Sequence, residues 1–208
     1  MFIVSNYLIA SILDSKMAAI QNLLILDLDE TIIHSTETEL EYSAEFKVDR
    51  YYVYPRPHLQ PFLKFCFENF QVAVWTASSE DYAQPMIERI FPHPQHLAFL
   101  WSNDRCTLKF NWQTGEYQFI KDLKKVKKRG YLLEKILFVD DRPENLVRQY
   151  SNLIQVRPFL GDRNDIELQF LMAYLSRFVE VENVCPIEKR NWRDRVRNAI
   201  DSTHQTPV

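Results

Sequence analysis

Asp27 and Asp29 stand one residue apart at the end of an apolar run, in "LLILDLDETIIHS" (23–35). A second acidic pair, Asp140 and Asp141, ends the run "KILFV", and Thr76 closes "FQVAVW" in the same way. A lone aspartate after a strand is ordinarily a turn former or a helix cap. Four carboxylates at two strand ends are another matter, because two like charges about 4 Å apart repel by roughly 4 kcal/mol at an effective dielectric near 20. Such a cluster needs a cation. Oxygen-only ligands at a partly wet site suit Mg²⁺, which takes one or two carboxylates, waters and a substrate phosphate in place of a full protein cage.

Parallel strands would bring these positions together. Short apolar runs recur at 23–29, 70–75, 97–101, 135–140 and 152–156, and runs apolar on both faces are what a sheet covered by helices requires. Helices are expected at 58–69, at 79–91 behind the capping-type "SSED", at about 121–131, at 142–150 and at 164–178. In the last, Ile166, Phe170 and Tyr174 with Leu171, Leu175 and Phe178 read as a stripe facing the core. Two segments, 44–57 and 106–122, have hairpin character and are expected as antiparallel flaps. The sum is an α/β, Rossmann-like doubly wound, mainly parallel sheet. Ligands of such sheets bind beyond the carboxyl ends of the strands, which is where each of the polar positions above falls.

At 208 residues the chain is expected to hold one domain, over 20–180. Residues 1–19 read as an N-terminal extension without the features of a signal peptide or a membrane span. Residues 181–208 form a charged tail in which Trp192, Val196 and Ile200 have the spacing of a short helix. A net charge of −3 gives no long-range attraction to nucleic acid or to an anionic membrane. Three widely spaced cysteines suit reduced thiols in a cytoplasmic protein, or a nuclear one in a nucleated cell. Only three glycines are present, so the Gly-rich loops of P-loop kinases and dinucleotide-binding folds are excluded.

"DLDETIIHS", "VWTASS", "YQFIKDL" and "FVDDRPEN", in that order, resemble the four signature motifs of the haloacid dehalogenase superfamily. Within it the chain is similar to the small carboxy-terminal-domain phosphatases and NLI-interacting-factor-like (FCP homology) phosphatases, over about 22–180. "RPHLQPFLKF", "NDRC" and "NDIELQFLMAYL" also read like that branch. The resemblance implies that Asp27 is a nucleophile forming an aspartyl-phosphate and that Asp29 is a general acid and base whose backbone carbonyl helps hold the metal. It implies further that Thr76 donates its hydroxyl to a phosphate oxygen and that Lys121 neutralises the phosphoryl group and steadies Asp27. Asp141, where the small phosphatases often carry asparagine, would ligate Mg²⁺ directly or through water, and Asp140 would orient Lys121 or the metal. Four ionised carboxylates bring four negative charges, of which Mg²⁺ and Lys121 return three, so a protonated Asp29 leaves the site neutral.

Taken singly, Thr76 is a strand-end cap, Lys121 a solvated lysine and Asp141 the acid at a helix start; only their joint occurrence outweighs those readings. With 49 residues from Asp27 to Thr76 and 45 from Thr76 to Lys121, no room remains for a large cap domain. An open site favours a substrate large enough to cover it, such as phosphoserine or phosphothreonine in a protein. Tyr51, Tyr52 and Tyr54 are either a platform for such a peptide or a plain flap. A phosphatase of nucleic-acid ends or small metabolites, and a non-catalytic binding module, are the rival readings. The run Lys121–Arg129 holds six basic residues, either as a solvated face or as a patch for an acidic partner. No membrane association is expected, and the protein is expected to be a monomer.

Overall fold

The computed structural model describes residues 21–112 and 115–203. The described residues begin with β1 (Leu23–Leu26) and then three antiparallel strands, β2 (Ile33–Thr36), β3 (Phe46–Val48) and β4 (Tyr51–Pro55). Helix α1 (Leu59–Asn69), β5 (Gln71–Trp75), α2 (Glu80–Ile90) and β6 (Leu100–Trp101) follow. A hairpin of β7 (Thr107–Asn111) and β8 (Glu116–Ile120) leads into a short helix α3 (Lys124–Lys127), β9 (Ile136–Asp140) and β10 (Leu153–Gln155). Two helices, α4 (Glu167–Leu175) and α5 (Trp192–Thr203), close the described part.

The five strands expected to be buried form one parallel sheet in the order β10-β9-β1-β5-β6. Strand alternation sends Leu24 and Leu26 to one face and Leu23 and Ile25 to the other. The first pair joins a core closed by Phe62, Met86, Leu171, Tyr174 and Trp192, the second a core closed by Trp101, Leu123, Val126 and Leu146. Both faces are therefore covered, which is why these strands are apolar throughout. Each fully buried leucine or isoleucine contributes about 1.5–3 kcal/mol. Strand order reverses across β1, with β9 on one side and β5 on the other, so their carboxyl ends open a crevice at that point.

The fold class is thus the one expected, and the two antiparallel segments form as flaps. β2 joins the first to give a sheet in the order β2-β4-β3, with Asp49 turning the β3–β4 link at a left-handed φ of 52°. The expected helix over 121–131 shrinks to the four residues of α3. Lys124, Lys125, Lys127 and Lys128 repel along it, the Asp122 side chain accepts from Lys124 N, and Gly130 ends it at a φ of +96°. The expected helix over 142–150 is a 3₁₀ turn, Pro143–Leu146, because the Asn145 carbonyl accepts from Lys121 N instead of continuing a helix. α4 begins only at Glu167, whose N–H is held by Asp165 Oδ1 at 2.9 Å, and Ile166 stands outside the apolar stripe, half exposed. Trp192 and Val196 pack on the main core through α5, so the described part of the charged tail belongs to the same body. The expectations for residues 1–19 and for the last residues of the tail lie outside the described residues.

The loop after β10 is fastened to the flap at Gly161, whose carbonyl accepts from the Tyr42 hydroxyl at 2.5 Å. Gly161 has a φ of +92°, and a Cβ built there would meet Leu40 Cδ1 at 2.4 Å. No helix among the described residues is long and apolar enough to cross a membrane.

Candidate active site

Asp27 follows β1 directly, and its N–H donates to Val139 O at 3.0 Å, which docks it beside the end of β9. One carboxylate oxygen each from Asp27, Asp140 and Asp141 lies within 4.8 Å of the others. Behind them is Lys121, fully buried at the end of β8, with Nζ 2.8 Å from Asp27 Oδ1 and 2.7 Å from Asp140 Oδ2. Burial alone would lower the lysine, but the charges of Asp140 and Asp27 outweigh it and hold it above the ordinary lysine value. Lys121 therefore supports Asp27 from beneath the site and is separate from the surface run that follows it.

The two acids at the end of β9 are not equivalent. Asp140 is saturated: Lys121 and Asn145 donate to it, and Arg142 N donates to Oδ1 at 2.8 Å. Among the described residues Asp141 accepts from one side chain, the Thr31 hydroxyl at 3.2 Å, and burial together with the Asp140 charge pushes it up to about 6. Asp27 is also raised well above the usual carboxylate range, first by burial and then by Asp140 and Asp29, against the pull of Lys121. Its Oδ1 is buried and faces Lys121 Nζ at 2.8 Å. The cluster is short of positive charge at Asp27 and Asp141, and a hard divalent cation with oxygen ligands fits that deficit.

Asp29 faces the other way. The Ser78 hydroxyl donates to Asp29 Oδ2 at 2.7 Å, and the Tyr82 phenol donates to Oδ1. The Ser35 hydroxyl lies 3.4 Å from Oδ1 and 2.5 Å from the Tyr82 oxygen. Burial and the Asp29 charge raise the phenol, so Tyr82 keeps its proton. Three hydroxyls from β2, the β5–α2 link and α2 thus fix the rotamer of Asp29. Thr76, at the end of β5, accepts from Ser78 N at 3.0 Å, which leaves its own O–H free to donate.

Asp27, Asp29, Thr76, Ser78 and Tyr82 line one open cavity of about 700 Å³. Tyr51, Phe119 and Arg142 form parts of its rim. Glu30, at a left-handed φ of 55°, also borders it and is raised to about 7 by burial and the charges of Asp29 and Asp141. Under the floor, Arg56 is buried and makes a two-pronged pair with Asp165, Nε to Oδ1 at 2.9 Å and a second nitrogen to Oδ2 at 2.8 Å. Its third contact, to Thr31 O at 2.8 Å, links the pair to Asp141, because Thr31 Oγ1 accepts from Asp141 N and donates to Asp141 Oδ1.

All the residues singled out from the sequence, Asp27, Asp29, Thr76, Lys121, Asp140 and Asp141, converge on this crevice. The sequence reading missed Ser35, Ser78 and Tyr82 around Asp29 and Thr31 and Arg56 beneath Asp141. Ser78 was legible as part of "SSED", but its hydroxyl goes to Asp29 and the following helix has no side-chain cap.

With this geometry in hand, the relatives of the chain are informative. A putative CTD phosphatase-like protein, 355R, of Invertebrate iridescent virus 3 is 32% identical over 184 residues, covering 76% of this chain and 97% of the viral one. The CTD small phosphatase-like protein 2 of Dictyostelium discoideum is 31% identical over 78% of this chain, and the human carboxy-terminal domain RNA polymerase II polypeptide A small phosphatase 1 is 28% identical over 77%. The chain spans only 28% and 60% of those two proteins. Among solved structures, the fission yeast RNA polymerase II CTD phosphatase Fcp1-R271A bound to beryllium fluoride superposes with a TM-score of 0.53 at 17% identity, over 96% of this chain and 60% of that one. The sequence model of NLI interacting factor-like phosphatases matches residues 22–185. With the family model matched over residues 22–185 and the viral relative 32% identical, the chain belongs to the NLI interacting factor-like phosphatase family, enzymes of the haloacid dehalogenase type.

Proposed function

We propose that the chain is a Mg²⁺-dependent phosphomonoester hydrolase that works through an aspartyl-phosphate on Asp27, with phosphoserine or phosphothreonine in a protein as its substrate. The observation that carries this reading is the meeting of Asp27, Asp140 and Asp141 within 4.8 Å, with the buried Lys121 ammonium set against two of the three carboxylates. Asp27 and Asp141, with the backbone carbonyl of Asp29, are the residues that would hold Mg²⁺, which supplies positive charge against the phosphoryl oxygens and lowers the two carboxylates. Asp140 is occupied by Lys121, Asn145 and Arg142, and its role is to hold Lys121 under Asp27.

Asp27 attacks phosphorus through a carboxylate oxygen, and the bond from phosphorus to the seryl or threonyl oxygen breaks. Asp29 gives that oxygen its proton; in the second half it takes one from a water that attacks phosphorus, the bond from phosphorus to Asp27 breaks, and inorganic phosphate leaves. The free hydroxyl hydrogen of Thr76 goes to a phosphoryl oxygen. A cavity open to solvent suits a polypeptide that covers it, and the names of the relatives, CTD phosphatases, support a protein substrate. A cytoplasmic or nuclear setting belongs to the same proposal.

The test is hydrolysis of p-nitrophenyl phosphate by the purified chain. The expected rate depends on Mg²⁺ and disappears in Asp27→Asn; a normal rate in that variant removes the proposed nucleophile.

A further inference from the structure

Strand alternation puts Leu108, Phe110 and Trp112 on one side of the hairpin, and the pairing of Leu108 with Phe119 and of Phe110 with Tyr117 sets two rings of β8 beside them. The Phe110 ring meets Tyr117 and Trp112 nearly edge-on, with centroids 5.0 and 4.7 Å apart. Lys109, Asn111, Glu116 and Gln118 fall on the opposite side. A surface hairpin ordinarily turns its apolar side inward, yet Leu108 is 56% exposed, Tyr117 66% and Trp112 88%. Four of the eight large hydrophobic side chains exposed among the described residues lie on this one face. A concentration of that kind marks a surface that something covers.

Phe119 says what. It belongs to this face and also to the wall of the cavity that holds Asp27 and Asp29, so the apolar surface runs continuously into the proposed catalytic site. We infer that the β7–β8 face docks the substrate polypeptide, holding large apolar residues that flank the phosphorylated one. The inference rests on the reading of the chain as a protein phosphatase and adds a substrate class to it. From Phe119 past Tyr117 to the level of Trp112 the strand rise of about 3.4 Å per residue gives about 7 to 14 Å, so the flanking residues lie roughly two to four positions from the substrate residue that meets Phe119. Among the described residues of the hairpin no cation stands on this face, which disfavours a nucleic acid backbone even though bases stack on aromatic rings.

Two phosphoserine peptides test it, alike except that one carries leucine or phenylalanine at those flanking positions and the other alanine. Wild-type protein is expected to favour the apolar peptide by about tenfold in kcat/KM, and Trp112→Ala or Leu108→Thr to remove the preference through KM. Both substitutions alter exposed side chains, and an unchanged rate with p-nitrophenyl phosphate shows that the fold and the chemistry are intact. Trp75, Trp101 and Trp192 are buried, so acrylamide quenching of the native protein reads Trp112; the apolar phosphopeptide is expected to shield it in Asp27→Asn protein. Equal turnover of both peptides by the wild type overturns the inference alone. So does a concentration-dependent dimer abolished by Trp112→Ala with peptide preference untouched, or a 3′-phosphorylated oligonucleotide whose turnover, and not that of the peptides, depends on Trp112. Turnover of p-nitrophenyl phosphate without either peptide overturns the protein-substrate reading as well, and turnover of none of them overturns the proposed catalysis.

Discussion

Lys121 Nζ lies 2.8 Å from Asp27 Oδ1, and the lysine side chain has no surface open to solvent. Removing its charge in Lys121→Met leaves Asp27, Asp140 and Asp141 together without compensation. The variant is expected to lose about 3–5 kcal/mol of stability, the usual cost of breaking a buried pair from one side. Excess Mg²⁺ is expected to restore more stability to the variant than it adds to the wild type, because the ion supplies the missing charge. Denaturant titrations of both proteins with and without Mg²⁺ measure this, and an equal Mg²⁺ effect would separate the lysine from the acidic cluster.

Tyr82 acts on the chemistry by holding Asp29. A seryl alkoxide needs a proton on leaving, whereas nitrophenolate leaves almost unaided, so loss of a well-placed acid is felt unequally by the two substrates. Tyr82→Phe is expected to lower kcat about 10- to 100-fold on a phosphoserine peptide and less than about threefold on p-nitrophenyl phosphate. An equal loss on both would make Tyr82 a packing residue only.

Arg56 is matched to Asp165 by the shape of its guanidinium as well as by charge. Lysine keeps the charge but cannot serve both carboxylate oxygens and Thr31 O from one rigid fork. Arg56→Lys is expected to cost at least about 2 kcal/mol in urea unfolding, and a neutral result would show that the buried charge alone is what the position needs.

Lys189 is buried, with its ammonium donating to Val184 O and Ile187 O, and burial lowers it to about 8. The folded value lies below the unfolded one, so between about 8 and the ordinary lysine value the unfolded chain binds more protons and stability rises with pH. Below that window the full cost of burying the charge is present. Wild-type protein is therefore expected to gain stability relative to Lys189→Met as pH rises from 8 toward 10. Parallel unfolding curves at each pH check the sign, and a constant difference would put the ammonium in a solvated setting.

The strand ends were legible because a covered parallel sheet demands apolar runs, and Asp27, Thr76 and Asp140 interrupt or end those runs at its carboxyl edge. The hydroxyls around Asp29 were not, since Ser35, Ser78 and Tyr82 are ordinary surface residue types until three separate elements bring them to one carboxylate. Helix length was misread around Lys121 and Asn145 for a related reason: Lys121 N and the Asn145 carbonyl bond to each other, which no local propensity reports. The basic run looked like a single face, but its first member is buried under the nucleophile position and Lys125 is tied to the carbonyls of Arg105 and Cys106, which leaves Lys124, Lys127 and Lys128 exposed.

Gly161 sets a limit on how the chain can diverge. A side chain there must hold a left-handed backbone and push aside the Leu40 Cδ1 methyl, so a larger residue at that position is strained even where Leu40 gives way. The same short loop carries Asp165 to Arg56, so strain introduced at 161 is felt by the segment that fastens the guanidinium beneath Asp141.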